Sequence, residues 1–263
     1  MMEAKKAVFF DIDGTIWDYT NYIPKSTVEA IRALRSKGNS AFICSGRCRS
    51  YIHSPSLFEI GFDGVVSGCG TMIEYGSEVV FYHELDRELV AHALKTVRSF
   101  GMKPLLEGRD SLYMDYEEFK DDPYGQKLIE EMGSRIKSIK DSEGKWECSK
   151  LSCDAPKGGI DECYESLKDE FDFIVHTSNV VEMVPKGFSK ATGMRKVAEL
   201  LGCGMENTLA FGDGENDIEM LQTAGVGIAM GNGNEHVKSI ADHVTASLYE
   251  DGLYKACEHF GLI

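Results

Sequence analysis

A chain of 263 residues, 43% of them hydrophobic, carries enough apolar surface for one large or two ordinary domains. Its formal charge of −15 argues against a surface built for nucleic acid or an anionic membrane, since both call for patches of Lys and Arg. An acidic protein that handles an anionic small molecule must overcome its own field locally, so metal ions, lone lysines and helix N-termini are the features to look for.

The apolar run in MMEAKKAVFFDIDG is too short for the hydrophobic region of a secretory signal and ends in acid. No segment reaches the ~18 apolar residues of a membrane span. The eight cysteines are scattered, without a CxxC pair, which predicts reduced thiols and a cytoplasmic protein. A monomer or small homo-oligomer is expected, with no nucleic-acid or membrane partner.

The first predicted element is the stretch AVFF, residues 7–10, a strand buried on both faces as in a parallel sheet covered by helices. Asp11 and Asp13 follow it at once and Gly14 ends it, at the position where open α/β sheets bind their ligands. An ordinary Asp-Gly turn is the competing reading. A calcium loop is excluded by spacing, because its twelfth position needs Glu and this chain has Tyr22 there.

Residues 24–37 space Val28, Ile31 and Leu34 as a helix does, with Gly38 placed to end it. A second buried strand, residues 40–46, ends in Ser45-Gly46, and a third, residues 62–68, follows another helical stretch. The alternation resumes near residues 207–212 with NTLAFGDG, then a short helix, the strand VGIAMG, the helix NEHVKSIA, a short strand in DHVT and a C-terminal helix. Strand alternating with helix predicts a doubly wound, Rossmann-like parallel sheet. Between these halves the order changes to a helix at 87–100, the paired short strands KPLLE and SLYMD, more helix, and strands near 147–153, 171–176 and 180–185. The predicted organisation is an α/β core from residues 1–83 and 186–263 with an α+β insert at 84–185.

Three further strand and helix ends carry chemistry. Ser45 and Gly46 offer a hydroxyl and backbone N–H groups suited to phosphate oxygens, although an isolated Ser-Gly is also a common turn. GDGEND, residues 212–217, presents Asp213 at a strand end, with Asn216 and Asp217 after it. Acidic residues favour the first turn of a helix, which accounts for Asp217 and leaves Asp213 unexplained. Lys190 opens a helix, where a cation opposes the helix dipole, so an ammonium facing a ligand is the stronger reading. The glycines of GVGIAMG are spaced G-x-G-x-x-x-G and do not match the dinucleotide fingerprint.

DIDGT at 11–15, the strand-end Ser45, Lys190 and GDGEND at 212–217 resemble, in order and spacing, the four motifs of the haloacid dehalogenase superfamily. The late segment AMGNGNEHVKSIADHVTASLYEDGL is similar to the C-terminal block of its Cof-like, type IIB phosphatases. The resemblance covers nearly the whole chain, and the insert has the length and place of a type C2B cap.

This resemblance implies a Mg²⁺-dependent phosphomonoesterase acting on small phosphorylated metabolites such as sugar phosphates. Asp11 would be the nucleophile, forming an aspartyl-phosphate, and Asp13 would protonate the leaving oxygen and then activate water. Asp11, Asp213 and the Asp13 carbonyl would hold Mg²⁺. Ser45, Gly46, the Ile12 backbone, Lys190 and Asn216 would hold the phosphoryl group, and Asp217 would orient the metal shell or Lys190. A phosphomutase and a phosphate-ligand sensor without turnover are the alternatives.

The chemistry calls for these residue types on its own account. Two-step hydrolysis needs an ionised nucleophile, the leaving alkoxide needs an acid, and the phosphoryl charge needs cations. Mg²⁺ prefers oxygen ligands and no His or Cys cage. One departure stands out, because many relatives have Asn-Gly where this chain reads Cys69-Gly70. Cys69 is expected to be a packed loop thiol. In the insert, Arg109, Tyr113, Asp115, His176 and Ser178 are the polar positions considered for substrate contact.

Overall fold

The computed structural model describes residues 5–156, 158–176 and 179–263. In chain order the elements are β1 Ala7–Phe10, α1 Lys25–Ser36, β2 Ser40–Cys44, α2 Pro55–Phe58, β3 Gly64–Ser67, β4 Met72–Tyr75 and β5 Glu78–Tyr82. There follow α3 Arg87–Ser99, β6 Lys103–Glu107, β7 Leu112–Tyr113, α4 Tyr116–Phe119, α5 Pro123–Met132, β8 Ile136–Lys137, β9 Lys150–Asp154, α6 Ile160–Leu167, β10 Phe171–Val175 and β11 Val180–Pro185. The chain closes with α7 Lys190–Leu201, β12 Thr208–Gly212, α8 Ile218–Thr223, β13 Val226–Ala229, α9 Glu235–Ile240, β14 His243–Val244 and α10 Gly252–His259. Two compact units result, one from Met1–Gly46, His53–Phe81 and Phe188–Ile263, the other from Arg47–Ile52 and Tyr82–Gly187.

The first unit is a doubly wound α/β layer structure. Its sheet runs in the order β14-β13-β12-β1-β2-β3-β4-β5. Pairing is parallel from β14 to β3, and β4 turns antiparallel to β3. β1 is central, which is why all four of its residues are apolar and buried. Phe9 joins Phe42, Val66, Met194, Met220 and Val237 on the face covered by α7, α8 and α9. Phe10 points to the other face by strand alternation and stacks on Phe211 at 5.0 Å. On α1 the buried residues Thr27, Ala30, Ile31 and Leu34 recur at helical spacing, and α1 packs against α10.

Two features depart from the alternation read in the sequence. Between β2 and β3 the helical stretch shortens to a 3₁₀ turn, Arg49–Tyr51, and the single turn α2. The sheet also continues past β3 through β4 and β5, a strand pair that the sequence pattern does not announce. β5 lies at the sheet edge with Val79 and Val80 largely exposed, so no alternation between a wet and a dry face marks it.

The second unit is an α+β layer. Its sheet order is β10-β11-β9-β6-β7-β8, antiparallel except for the pair β7 and β8. One face carries Leu106, Leu151, Cys153 and Met183 against Val90, Ala93 and Val97 of α3 and Cys163 and Leu167 of α6. α3 starts where the Asp86 side chain accepts bonds from the N–H groups of Glu88 and Leu89. The opposite face has a smaller apolar cluster, Leu105, Leu112, Phe119, Leu128 and Met132, contributed in part by α4 and α5. Among the described residues no helix is long and apolar enough to cross a membrane.

α7 lies close on the end of β3. A Cβ at Gly193 would stand 2.4 Å from Val66 Cγ1 and 2.9 Å from Gly70 Cα, so only glycine fits this approach. Gly193→Ala therefore destabilises the first unit by about 1–3 kcal/mol despite the better helix propensity of Ala. Calorimetry should read this as a lower unfolding temperature, and an unchanged or raised value contradicts the close packing described.

Candidate active site

Parallel pairing aligns three strand ends. Phe10 lies beside Phe211 on one side and Ile43 on the other, so Asp11, Asp213 and Ser45 leave the sheet along one edge. The Asp11 N–H donates to the Phe211 carbonyl at 3.0 Å, which fixes the first of these residues against β12.

After Asp11 the chain folds back tightly on itself. The Ile12 carbonyl accepts bonds from the N–H groups of Ile16 at 3.0 Å and Trp17 at 3.1 Å, and the Gly14 N–H donates to the Trp17 carbonyl at 2.8 Å. Gly14 has φ +86°, and a Cβ there would stand 2.2 Å from Asp213 Oδ2. Glycine is required on both counts. Thr15 donates its hydroxyl to Asp213 Oδ1 at 3.0 Å, and Trp17 Nε1–H donates to Asp13 Oδ1 at 3.0 Å. Asn232 ties the loop from outside, donating to the Gly14 carbonyl while accepting from the Leu248 N–H, both at 2.8 Å.

Lys190 is the first residue of α7, whose start is fixed by a reciprocal capping box between Ser189 and Thr192. Its ammonium is buried and donates to Asp11 Oδ1 at 2.6 Å, Asp217 Oδ1 at 2.7 Å and Asn216 Oδ1 at 3.2 Å. Asp217 is fully buried, and its second oxygen accepts from the N–H groups of Asp213 at 3.0 Å and Gly214 at 2.9 Å. Its place is thus within the network, away from the solvated first helical turn that acidic composition alone would suggest.

The charge balance of this cluster is uneven. One oxygen each of Asp11, Asp213 and Asp217 lie within 4.8 Å of one another, and Lys190 supplies a single positive charge. Burial pushes the Asp11 carboxyl well above its ordinary range against the pull of Lys190, with Asp217 and Asp213 adding to the rise. Burial and the neighbouring Asp217 likewise push Asp213 up to about 7. Lys190 moves the other way: burial works against its charge, yet Asp11 and Asp217 outweigh it and raise its pKa well above the usual lysine value. Such a cluster favours a further cation. The residues fit a hard divalent ion, because Asp11 Oδ1 serves Lys190 and Asp213 Oδ1 serves Thr15, leaving the second oxygen of each, while both oxygens of Asp217 are engaged.

Ser45 is buried, with its N–H bonded to the Val66 carbonyl and its carbonyl accepting from the Cys69 N–H. Gly46 is buried beside it. Cys69 is also buried and has φ +54°, a left-handed conformation that Asn adopts more readily than other non-glycine residues. The structure therefore brings together Asp11, Ile12, Asp13, Lys190, Asp213, Asn216 and Asp217, with Ser45 and Gly46 at the adjoining strand end. Thr15, Trp17 and Asn232 are the partners that sequence reasoning passed over. Thr15 stood inside DIDGT, whereas no spacing rule ties Trp17 or Asn232 to an aspartate.

In the second unit the polar positions considered from sequence have other partners. Tyr113 is buried in the helix-covered core, Arg109 pairs with Asp110 and Glu147, Asp115 pairs with Arg98, and His176 bonds Glu182. Ser178 lies outside the described residues.

Residues 8–257 match the haloacid dehalogenase-like hydrolase family. YkrA of Bacillus subtilis (strain 168), described as a candidate phosphatase, is 32% identical over 276 residues that span 98% of each chain. YitU of the same strain, a 5-amino-6-(5-phospho-D-ribitylamino)uracil phosphatase, is 27% identical over 277 residues, 99% of this chain and 100% of its own. A solved structure of the haloacid dehalogenase subclass IIB sugar phosphatase BT4131 superposes with a TM-score of 0.84 at 29% identity, covering 98% of this chain and 100% of that one.

Removing the ammonium while keeping its partners leaves buried carboxylates uncompensated. Lys190→Met should cost about 3–5 kcal/mol of stability in metal-free buffer, and adding Asp217→Asn should restore part of it. Urea denaturation of the single and double variants measures both. Equal stabilities for Lys190→Met and the parent would mean that the ammonium does not balance this cluster.

Proposed function

The chain belongs to the haloacid dehalogenase-like hydrolases and is a phosphatase, and we propose that it hydrolyses small phosphorylated metabolites of the sugar-phosphate type, with Mg²⁺, through two displacements on Asp11. The observation that carries this reading is the Lys190 ammonium held between Asp11 and Asp217, with Asp213 alongside. Two similar proteins support the substrate class, since one is named for a D-ribityl-linked phosphate and the other as a sugar phosphatase. Residues 84–185 are assigned the role of a cap on this chemistry.

In the first displacement an Asp11 oxygen attacks phosphorus, the bond to the leaving alcohol breaks, and Asp13 gives that oxygen its proton. Trp17 Nε1–H donates to Asp13 Oδ1 and so holds the Asp13 side chain in one orientation. In the second, Asp13 takes a proton from water, the water oxygen attacks phosphorus, and phosphate leaves as Asp11 is regenerated. Lys190, Asn216, the Ser45 hydroxyl and the N–H groups of Ile12 and Gly46 hold the phosphoryl oxygens, with Lys190 placed to offset charge that grows in the transition state. Asp217 positions Lys190 and, through the N–H groups of Asp213 and Gly214, the loop after β12. Asp11, Asp213 and the Asp13 carbonyl would hold Mg²⁺, whose chemistry would be to offset the charge of the carboxylates and of the phosphoryl oxygens.

Asp11→Asn fills the same space without a nucleophile, so phosphate release should fall by at least about 10³-fold with the fold retained. In the parent, chelation should stop turnover and added Mg²⁺ restore it. Near-parental hydrolysis by Asp11→Asn removes it as nucleophile, and full activity in buffer shown metal-free by elemental analysis removes the cation.

Asp13 and Trp17 are separated from other roles by the leaving group. Asp13→Asn should slow alkyl phosphates far more than activated aryl phosphates, which leave without much protonic help. Trp17→Phe should act in the same direction at about tenfold, the scale of one hydrogen bond to a charged group. Equal losses for both ester classes in both variants would set the acid role of Asp13 aside.

A further inference from the structure

Asp13 lies in a loop, and loops are more mobile than the elements they connect. Moving a proton to and from a substrate oxygen tolerates little of that freedom, since a misplacement of about 1 Å can cost roughly 10²-fold in rate. The bonds from Trp17 to Asp13 and from Gly14 to Trp17 fold the loop on itself, and Thr15 anchors it on Asp213. A second set of anchors reaches it from a 3₁₀ turn of the same unit, Leu248–Glu250.

That turn is itself firmly held. Ser247 Oγ donates to Glu250 Oε2 at 2.7 Å, the Gly252 N–H donates to the Ser247 carbonyl at 3.0 Å, and the Gly231 N–H donates to the Ala246 carbonyl at 3.0 Å. A Cβ at Gly231 would stand 2.6 Å from the Ser247 nitrogen, so the chain leaving β13 lies directly against the turn. Two neighbouring residues of the turn then grip the loop at two places. The Leu248 N–H donates to Asn232, whose amide donates to the carbonyl of Gly14, the residue after Asp13. The Tyr249 hydroxyl donates to Asp18 Oδ2, on the residue after Trp17, and the Tyr249 ring stacks on Tyr22 with centres 6.5 Å apart.

The second grip exceeds what the turn at 18–22 needs for its own shape. Asp18 Oδ1 accepts from the N–H groups of Thr20 and Tyr22 at 2.8 and 2.9 Å and from the Thr20 hydroxyl at 2.7 Å, which closes that turn without Tyr249. The Tyr249 hydroxyl, then the Thr20 hydroxyl and the Tyr22 N–H, hold the Asp18 carboxyl well below its ordinary range, so the bond from Tyr249 has an ionised acceptor. Tyr249 is 67% exposed, and its ring therefore adds little to the core. We propose that Tyr249 is a positioning residue for the acid–base step: together with Asn232 it braces the residues that follow Asp13 and Trp17, so that the Trp17 indole keeps the Asp13 carboxylate aimed. The proposal rests on the phosphatase reading and deepens it, adding a residue of the C-terminal segment to the support of Asp13.

The two tryptophans of the chain, Trp17 and Trp146, give the test an internal control. In the isotope-labelled full-length protein each indole N–H gives one magnetic-resonance signal, and Trp17→Phe identifies which is which. Tyr249→Phe keeps the ring stack and removes the hydroxyl. It should shift the Trp17 indole signal and speed its hydrogen exchange by at least about threefold, while Trp146, whose indole donates to the Ile139 carbonyl in the second unit, keeps its signal. In turnover, Tyr249→Phe should lower kcat for alkyl phosphates by about three- to tenfold with KM within about twofold, and should change kcat for activated aryl phosphates much less. Asn232→Ala releases the other grip and should act in the same direction. Unfolding temperatures identify the folded variants. An alkyl-to-aryl ratio unmoved in either folded variant, or a Trp17 signal unmoved by Tyr249→Phe, overturns the proposal. Absence of phosphate release by the parent even from p-nitrophenyl phosphate would instead overturn the phosphatase reading, and the indole signal alone would then decide whether Tyr249 holds Trp17.

Discussion

The contact on which the site depends is the buried ammonium of Lys190 between Asp11 and Asp217. An isolated lysine or aspartate in such surroundings would lose its charge, since desolvation of either ion is costly. Each here keeps its place through the other. Asp217 adds two backbone N–H bonds to its ion pair, and the same bonds shape the loop that carries Asp213. One network therefore joins the ends of β1 and β12 to the start of α7.

That network holds more negative than positive charge, and this imbalance is its chemical content. Pairing that balanced fully would leave nothing to attract a cation. Asp213 held near 7 by burial and by Asp217 marks where charge is missing. Rigid supports keep the carboxylates from drifting apart: Thr15 on Asp213, Trp17 on Asp13, and Asn232 on the Gly14 carbonyl. Preorganisation of this kind lets fixed dipoles and charges act without reorganising during reaction.

A cluster short of positive charge suits a metal cation, and the cation in turn lets a phosphoryl group approach. The second unit holds a buried lysine of its own, Lys150, between the carboxylates of Glu107 and Glu182, where pairing again offsets the cost of burial.

Much of the first unit was legible in the sequence because each cue is local. AVFF followed by DIDGT marks a buried strand with acid at its end, and residues 24–37 display helical spacing that the buried face of α1 matches. The order and spacing of DIDGT, Ser45, Lys190 and GDGEND also sufficed to name the residues that converge. The edge pair β4 and β5 was not legible, since an exposed edge strand leaves no wet and dry alternation to read. Trp17 on Asp13 and Asn232 on Gly14 depend on how a loop folds back and on a segment more than two hundred residues away, so no spacing rule contains them. Lys150, Glu107 and Glu182 lie on separate strands far apart in sequence. Only antiparallel register, which pairs residues distant in sequence, places them on one buried face, where the lysine stands between the two glutamates.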